Sequence, residues 1–167
     1  MGDRPPLVVI PGGAGFFGSV LTRHLLAAGY RVRVIDILQY GPEPLMELFI
    51  NPHFDFVLGN VLDRDLMKKS LADADAVVHL AALVGYPLCK KHPELARQVN
   101  VQGAQNVLDL ISDDTQLIYA STGSNYGEVA GICTEDTPLN PLSIYGETKT
   151  KAELMCMERP NTVSFRF

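Results

Sequence analysis

The stretch from Leu7 to Gly18 constrains the fold of this chain more than any other. It reads Leu-Val-Val-Ile-Pro-Gly-Gly-Ala-Gly-Phe-Phe-Gly, and an amphipathic segment over residues 19–28 follows it. An apolar run that stops at a proline and a glycine cluster, and then gives way to an amphipathic segment, predicts a strand, a tight turn and a helix. Within it, Gly12, Gly15 and Gly18 are spaced three residues apart.

Each of these glycines has a physical task in such a turn. A residue without a Cβ at Gly12 permits the sharp turn after the strand. Gly15 lets the backbone approach a diphosphate, and Gly18 lets the new helix pack closely on the sheet. The free N–H groups of the first helical turn, at Phe16 and Phe17, bind phosphate groups with the help of the helix dipole. The spacing differs from the G-x-G-x-x-G dinucleotide fingerprint, and a flexible glycine loop without a ligand is the alternative that it leaves open.

The end of the next predicted strand favours the dinucleotide interpretation. That strand covers residues 31–35 and is followed by Asp36, eighteen residues after Gly18. A carboxylate at this place is positioned to hydrogen-bond a ribose diol. The next residues, Ile37 and Leu38, offer no positive charge to a 2′-phosphate. The sequence therefore predicts a site that takes NAD rather than NADP.

Predicted strands and helices alternate along the whole chain. Further strands are expected at 54–59, 75–80, 116–120 and 162–167, with helices at 45–50, 63–71, 93–111 and 145–157. Such alternation indicates an α/β fold, a Rossmann-type doubly wound parallel sheet of about six strands in the order 3-2-1-4-5-6. Ligands of these sheets lie beyond the carboxyl ends of the strands, where the chain places Gly12, Asp36, Asn60, Ala81 and Ser121.

Composition excludes several classes of protein. The chain has 167 residues, of which 47% are hydrophobic and 20% charged, which is typical of one globular domain covering residues 1–167. A net charge of −5 without a basic stripe argues against nucleic-acid binding. No apolar run is long enough for a membrane span, and the polar start of the chain does not resemble a signal peptide. Cys89, Cys133 and Cys156 are odd in number and widely spaced, and no two histidines have metal-ligand spacing, so we expect a cytoplasmic protein with reduced thiols and no metal.

Tyr145 and Lys149 form a candidate catalytic pair. They are four residues apart on a predicted helix and so share one of its faces. An ammonium beside a phenol lowers the phenol's pKa, so that Tyr145 can take a proton from a substrate hydroxyl near neutral pH. The same spacing also arises by chance, as a half-buried tyrosine beside a solvated lysine. The position directly after strand five, where Ser121, Thr122 and Ser124 offer hydroxyl groups, favours catalysis.

Several motifs occur together in a familiar order. Residues 8–166 resemble the extended short-chain dehydrogenase/reductases, in particular their NAD-dependent nucleotide-sugar epimerase and dehydratase group. The glycine loop matches, with Pro11 where that family usually has threonine, and Asn60 stands in place of the commoner aspartate. The other matching segments are Gly59-Asn60-Val61, Val78-His79-Leu80-Ala81-Ala82, Asn100 in the central helix, residues 119–127 and the Tyr-x-x-x-Lys segment 141–149.

The resemblance implies a role for each matching residue. Tyr145 would be the acid/base, Lys149 would bind the nicotinamide ribose, and Thr122 would bind the substrate hydroxyl. The implied reaction is a transient oxidation, in which Tyr145 removes a proton from a sugar hydroxyl while hydride passes to NAD, and the keto intermediate turns before hydride returns. The further residues expected at NAD are Asn60, Val61, Leu80, Ala81, Ala82 and Asn100, and those expected at the substrate are Thr122, Gly123 and Ser124.

The residues after Thr122 narrow the reaction. Sugar 4,6-dehydratases of the resembling group carry an acidic pair there, whereas this chain has Gly123 and Ser124. The glutamate typical of related decarboxylases is also missing from this motif. Dehydration is therefore disfavoured, and an epimerase or a simple oxidoreductase remains. Ser124 is explained equally well as a loop-capping hydroxyl.

The length of the chain raises a second question. Members of the resembling family usually continue with another strand and a smaller region that grips the nucleotide of the sugar, so this chain is expected to be cut short after strand six. It is then a fragment, a truncated form, or a chain completed by a partner. Two hypotheses follow: an NAD-dependent epimerase of a nucleotide sugar, complete or cut short, or an NAD-binding module without turnover. The resemblance also implies a homodimer, because the helices corresponding to 93–111 and 145–157 commonly form a dimer in that family.

Overall fold

A six-stranded parallel sheet is the frame of the computed structural model, which describes residues 4–167. The strands follow the order β3-β2-β1-β4-β5-β6, which confirms the predicted Rossmann-type topology. The expectation about a signal peptide rests partly on residues 1–3, which lie outside the described residues. The strands are β1 (Leu7–Pro11), β2 (Arg31–Asp36), β3 (Phe54–Leu58), β4 (Ala76–His79), β5 (Gln116–Ser121) and β6 (Thr162–Arg166).

Helices connect these strands. Two of them begin at side-chain caps, because Asp63 accepts a hydrogen bond from the Leu66 N–H and Ser143 accepts one from the Gly146 N–H. The α-helices are α1 (Phe16–Ala27), α2 (Arg64–Leu71), α3 (Tyr86–Lys91), α4 (Pro93–Arg97), α5 (Gly103–Leu110) and α6 (Ile144–Met157). Short 3-10 helices cover Glu43–Ile50 and Gly123–Asn125, and a π-helix covers Gln98–Gln102.

The predicted helix at 93–111 is the main difference between expectation and structure. It is three joined pieces, because the π-helix separates α4 from α5. Helix α3 was not among the predicted helices. In the structure Gly85 precedes the helix with a φ of +92°, and Pro87 lies in the first turn of α3, where its missing N–H costs nothing.

Both faces of the sheet are buried, as expected for parallel strands. Strand β1 is buried along its whole length. One apolar layer packs Val9, Val77 and Leu117 against α2, α5 and α6, and the opposite layer packs Ile10 and Val34 against α1 and the first 3-10 helix. The central position of β1 places the loop after it in the middle of the sheet edge. Within residues 4–167, no helix combines the length and the apolar character that crossing a membrane requires.

The turn after β1 is closed by a backbone contact at Gly12. Its φ is +84°, and a Cβ at this position would lie 2.5 Å from the Ala81 backbone nitrogen. The Gly12 N–H donates to the Ile35 carbonyl at 2.8 Å, and the Leu80 N–H donates to the Pro11 carbonyl at 2.9 Å. The ends of β1, β2 and β4 are therefore tied together at one glycine.

We predict that Gly12→Ala destabilises the chain more than Gly29→Ala. Both glycines have a positive φ, +84° and +88°, but a Cβ at Gly29 meets no described atom within 4 Å. The shared backbone penalty is about 1–2 kcal/mol, and overpacking at Gly12 adds about 1–3 kcal/mol. Urea unfolding of both variants measures the difference. If both variants lose the same free energy of unfolding, the backbone at Ala81 relaxes around the new Cβ without cost, which contradicts the prediction.

Candidate functional site

The glycine loop and Asp36 form one end of the candidate site. Asp36 Oδ2 accepts a hydrogen bond from the Ala14 N–H at 3.0 Å, and Oδ1 accepts one from the Leu38 N–H at 2.8 Å. The carboxylate is thus fixed between the loop and the end of β2. It is only partly buried, and each oxygen retains acceptor capacity for a hydroxyl. This geometry fits the predicted contact with a ribose diol.

The loop also fits a diphosphate. A Cβ at Gly15 would meet one described atom, the Gly12 carbonyl oxygen, at 3.4 Å, so the glycine leaves the backbone open on its outer side. Helix α1 begins directly after it, which directs the N–H groups of its first turn towards this opening. Phe16 is 90% exposed there, and Phe17 packs against Phe167 with ring centroids 5.0 Å apart.

The segments after β3 and β4 border the same edge. Asn60 is exposed and its Oδ1 accepts a hydrogen bond from the Leu62 N–H at 3.0 Å. Val61 is buried, and its carbonyl accepts a hydrogen bond from the Asn106 amide at 2.9 Å. The Leu80–Ala82 segment is half-buried beside Gly12. Of these residues, Val61 presents its side chain to the core rather than to the edge.

Asn100 lies in the interior of the protein. It is 1% exposed on the π-helix, and its Oδ1 accepts from the Leu83 N–H at 2.7 Å. Its Nδ2 donates to the Leu83 carbonyl at 3.2 Å and to Thr148 Oγ1 at 3.0 Å. Thr148 in turn donates to the Tyr145 carbonyl at 3.0 Å. Asn100 therefore joins the segment after β4 to α6, while its predicted contact with NAD stays a prediction.

Tyr145 and Thr122 meet at the start of α6. Thr122 is 7% exposed, and its Oγ1 accepts a hydrogen bond from the Ser124 N–H at 3.2 Å. Burial raises the pKa of Tyr145, and hydrogen bonding with the Thr122 side chain offsets part of that rise. A Cβ at Gly146 would lie 2.9 Å from the Ser124 carbonyl oxygen, so α6 packs directly on the segment that carries Thr122, Gly123 and Ser124.

The expected lowering of the Tyr145 pKa by Lys149 is not what the structure shows. Lys149 is 3% exposed, and its ammonium lies 4.2 Å from the centre of the Tyr119 ring. Its charge is therefore stabilised by the face of an aromatic ring. Burial lowers the pKa of Lys149 from its ordinary value of 10.5 to about 8. The pair shares a helix face as predicted, but Lys149 is a buried and not a solvated lysine.

A buried histidine lies beside this lysine. His79 pairs with Tyr119 in the register of β4 and β5, and their ring centroids are 5.9 Å apart. Burial, helped by the charge of Lys149, lowers the pKa of His79 to about 3, so the ring is neutral at physiological pH. The sequence alone indicated only a strand residue here. The Lys149 ammonium thus lies over the Tyr119 ring, and the neutral His79 ring lies beside Tyr119.

Sequence reasoning missed a second buried charge on α6. Glu153 is 3% exposed and contacts Ser121, Asn125 and Arg166. The signal available in the sequence was its position four residues after Lys149, which places both on one face of the helix. Arg166, at the end of β6, was not recognised because its partner is thirteen residues earlier in the chain.

Fold and site together define a dinucleotide-binding α/β domain with a tyrosine and a lysine on the helix after strand five. The family described as the NAD dependent epimerase/dehydratase family matches residues 8–165. The chain belongs to this family. The predicted resemblance is thereby confirmed, and the predicted cofactor, NAD, is the one that the family description names.

Individual relatives agree with the family assignment. The UDP-glucose 4-epimerase of Lactobacillus helveticus is 36% identical over 87% of this chain and 44% of its own length. A crystal structure of UDP-glucuronic acid 4-epimerase from Bacillus cereus, with UDP-glucuronic acid and NAD, has a TM-score of 0.88 at 31% identity and covers 96% of this chain and 55% of that one. A dTDP-glucose 4,6-dehydratase from Streptomyces venezuelae, with NAD bound, has a TM-score of 0.85 at 32% identity over 91% and 51%. The chain therefore spans about half the length of these relatives.

Lys149 makes a pH dependence testable. Between pH 8 and 10.5 the unfolded lysine binds a proton that the folded one has lost, so this group makes stability rise with pH across that window. We predict that the free energy of unfolding of the parent, minus that of Lys149→Met, rises by about 2 kcal/mol from pH 8 to pH 10. Urea unfolding measures this difference. Lys151→Met, at an exposed position, is the matched control, and we expect no change with pH in its difference from the parent. If the difference between the parent and Lys149→Met is the same at pH 8 and pH 10, the lowered pKa of Lys149 is contradicted.

Proposed function

We propose that the chain binds NAD and carries the hydride-transfer site of a nucleotide-sugar epimerase. The observation that carries the proposal is the packing of the start of α6 on residues 122–124, which brings Tyr145 beside Thr122, with the buried Lys149 one turn further along α6. This group lies at the end of β5, on the edge of the sheet where the glycine loop and Asp36 also lie. The family's NAD-dependent members and the relatives named above support it.

Different residues at the edge of the sheet bind different parts of NAD. Asp36 takes the adenosine ribose through its free acceptor positions, and the loop from Gly12 to Gly18 takes the diphosphate with the first turn of α1. Leu80–Ala82 borders the path from the loop towards β5. When bound, NAD supplies the acceptor and donor of a hydride. Ile37, 51% exposed after Asp36, gives no positive partner to a 2′-phosphate.

Tyr145 moves the proton of the substrate hydroxyl. Its raised pKa keeps the phenol protonated at neutral pH, so the phenol can donate a proton to a carbonyl oxygen during reduction. Removal of the hydroxyl proton during oxidation needs a stabilised phenolate, and Lys149, one turn further along α6, is the cation that we propose for this task. A lysine with a pKa of about 8 can supply that charge near neutral pH and also exchange its own proton.

The segment after Thr122 favours epimerisation over dehydration. Gly123 and Ser124 bring no carboxylate to the substrate, whereas elimination of water needs an acid and a base there. Ser124 is exposed, while its N–H is used to hold Thr122 Oγ1. Both interpretations of Ser124, as substrate contact and as loop cap, are compatible with this geometry. An oxidoreductase that acts on the same class of substrate is an alternative reaction, and it would use the same residues.

The second candidate is an NAD-binding module without turnover. The residues proposed for NAD lie within this chain, which spans about half the length of the relatives named above. As part of the proposal we also place the protein in the cytoplasm as a homodimer. A groove of about 550 Å³ along α4, the π-helix and α6, lined by Arg97, Gln98, Glu147 and Lys151 among others, offers charges of both signs for such an interface.

We predict that Tyr145→Phe lowers turnover by about 10²–10⁴-fold and leaves NAD binding unchanged. The phenol transfers the proton, a contribution of about 10²–10⁴-fold, whereas the ring's packing is preserved. Conversion of UDP- and dTDP-hexoses, followed by chromatography, measures turnover, and calorimetry measures NAD affinity. Turnover equal to that of the parent would contradict the role of Tyr145. A parent that binds NAD and converts none of these sugars would support the module.

We predict that Asp36→Asn weakens NAD binding by roughly 10–100-fold. The substitution keeps the shape of the side chain but replaces charge-assisted hydrogen bonds to the ribose, each worth about 1.5–3 kcal/mol, with neutral ones. Calorimetric titration with NAD measures the change. Exposed Asp65→Asn, in the first turn of α2, is the matched control. Unchanged affinity in Asp36→Asn would mean that the carboxylate does not hold the ribose.

A further inference from the structure

Glu153 carries a buried charge outside the residues assigned so far. Its side chain is 4% exposed, and it lies on α6 two turns after Tyr145. Burying a carboxylate without partners has a high desolvation cost. The groups that contact Glu153 therefore indicate its role. Those partners lie on three other segments: the end of β5, the 3-10 helix that follows it, and the end of β6.

Two of these contacts flank the substrate segment, which we define as residues 122–124. Ser121 donates from its hydroxyl to Glu153 Oε2, and Asn125 Nδ2 donates to the same oxygen at 2.7 Å. Asn125 Nδ2 also donates to Ser121 Oγ at 2.9 Å. One carboxylate oxygen therefore holds the residue before the segment and the residue after it.

The other carboxylate oxygen holds the end of β6. Arg166 Nε and a terminal guanidinium nitrogen lie 2.8 and 2.6 Å from Glu153 Oε1. The second terminal nitrogen donates to Tyr126 Oη at 2.9 Å, and the guanidinium lies 5.0 Å from the centre of the Tyr126 ring. Arg166 neutralises the buried charge and extends the same network past the substrate segment.

We propose that Glu153 is a positioning residue for the proposed reaction: through Ser121 and Asn125 it fixes the substrate segment against α6 and so sets the place of Thr122 relative to Tyr145. This inference rests on the proposed function, because it assigns a task in the same site. Glu153 and Tyr145 lie on the same helix. If α6 moves, Tyr145 and the substrate segment bound to Glu153 therefore move together.

The substrate segment itself has one long-range backbone hydrogen bond, from the Gly123 N–H to the Phe167 carbonyl at 2.6 Å, and its Thr122 side is held by local contacts. The Ser124 N–H donates to Thr122 Oγ1 at 3.2 Å, and the Asn125 N–H donates to the Thr122 carbonyl at 3.2 Å. The segment is a single short 3-10 turn, which is not stable alone. The Ser124 amide is consequently a direct reporter of where the Thr122 hydroxyl lies.

The test is Glu153→Gln, with exposed Glu158→Gln at the end of the same helix as the matched control. Hydrogen exchange resolved by residue reports on the Ser124 amide, and the ¹³Cζ shift of labelled Tyr145 reports on the surroundings of its hydroxyl group. We expect Ser124 exchange to become at least roughly 10-fold faster and the Tyr145 shift to move in Glu153→Gln. Amides of β1 and the shift of Tyr30 should stay unchanged, and the control should match the parent.

Two results would overturn the proposal. One is unchanged Ser124 exchange in Glu153→Gln; the other is faster exchange spread equally over β1 and the substrate segment, which indicates a general loss of stability. If Glu153→Gln does not fold, Ser121→Ala removes one of the two flanking donors and is judged by the same two readouts. NAD affinity, measured on the parent and on each variant, separates this proposal from the proposed function. A parent that does not bind NAD counts against the proposed function. Ser124 exchange and the Tyr145 shift alone decide whether Glu153 is a positioning residue.

Discussion

The backbone contact between Gly12 and Ala81 is the constraint on which the site depends. Strand β1 lies at the centre of the sheet, and its end can reach β4 this closely because position 12 has no Cβ. The contact brings the glycine loop, Asp36 at the end of β2, and the segment after β4 to one edge. A Cβ at position 12 would lie 2.5 Å from the Ala81 backbone nitrogen, so these pieces would have to move apart to accommodate it.

Buried charges under α6 form the second half of the site. Lys149 lies on the ring of Tyr119, and Glu153 is neutralised by Arg166. Each charge is buried with a partner of complementary character, which limits the desolvation cost. Tyr145, Lys149 and Glu153 are spaced four residues apart, so one helix face carries the proposed acid/base, the buried cation and the carboxylate that we propose as a positioning residue. Packing of α6 on β5 and β6 thereby determines the chemistry available at the sheet edge.

Local sequence patterns predicted most of the fold. Alternating apolar runs predicted all six strands and their order, because parallel α/β topology leaves few arrangements. Helix α3 and the π-helix were missed, since Gly85 and Pro87 indicate a loop by local preference and since a π-turn has no distinct sequence pattern. The interruption matters, because it lies where Asn100 reaches Leu83 and Thr148.

The site was predictable only where the chemistry is local. The glycine loop and Asp36 are read from spacing, and the structure gives them a geometry that fits their expected contacts. The state of Lys149 was not predictable, because its burial depends on Tyr119 and His79 from two other strands. Glu153 was missed for the same reason, as its partners come together only in the folded sheet.

The central claim is that NAD binds across the edge formed by β1, β2 and β4. The most direct measurement is an NMR titration of the ¹⁵N-labelled chain with NAD, and with NADP in parallel. The account predicts saturable shifts at Gly12–Gly18, Asp36–Leu38 and Leu80–Ala82, with NADP binding more weakly. Absence of saturable binding, or shifts confined to a different surface, would contradict it.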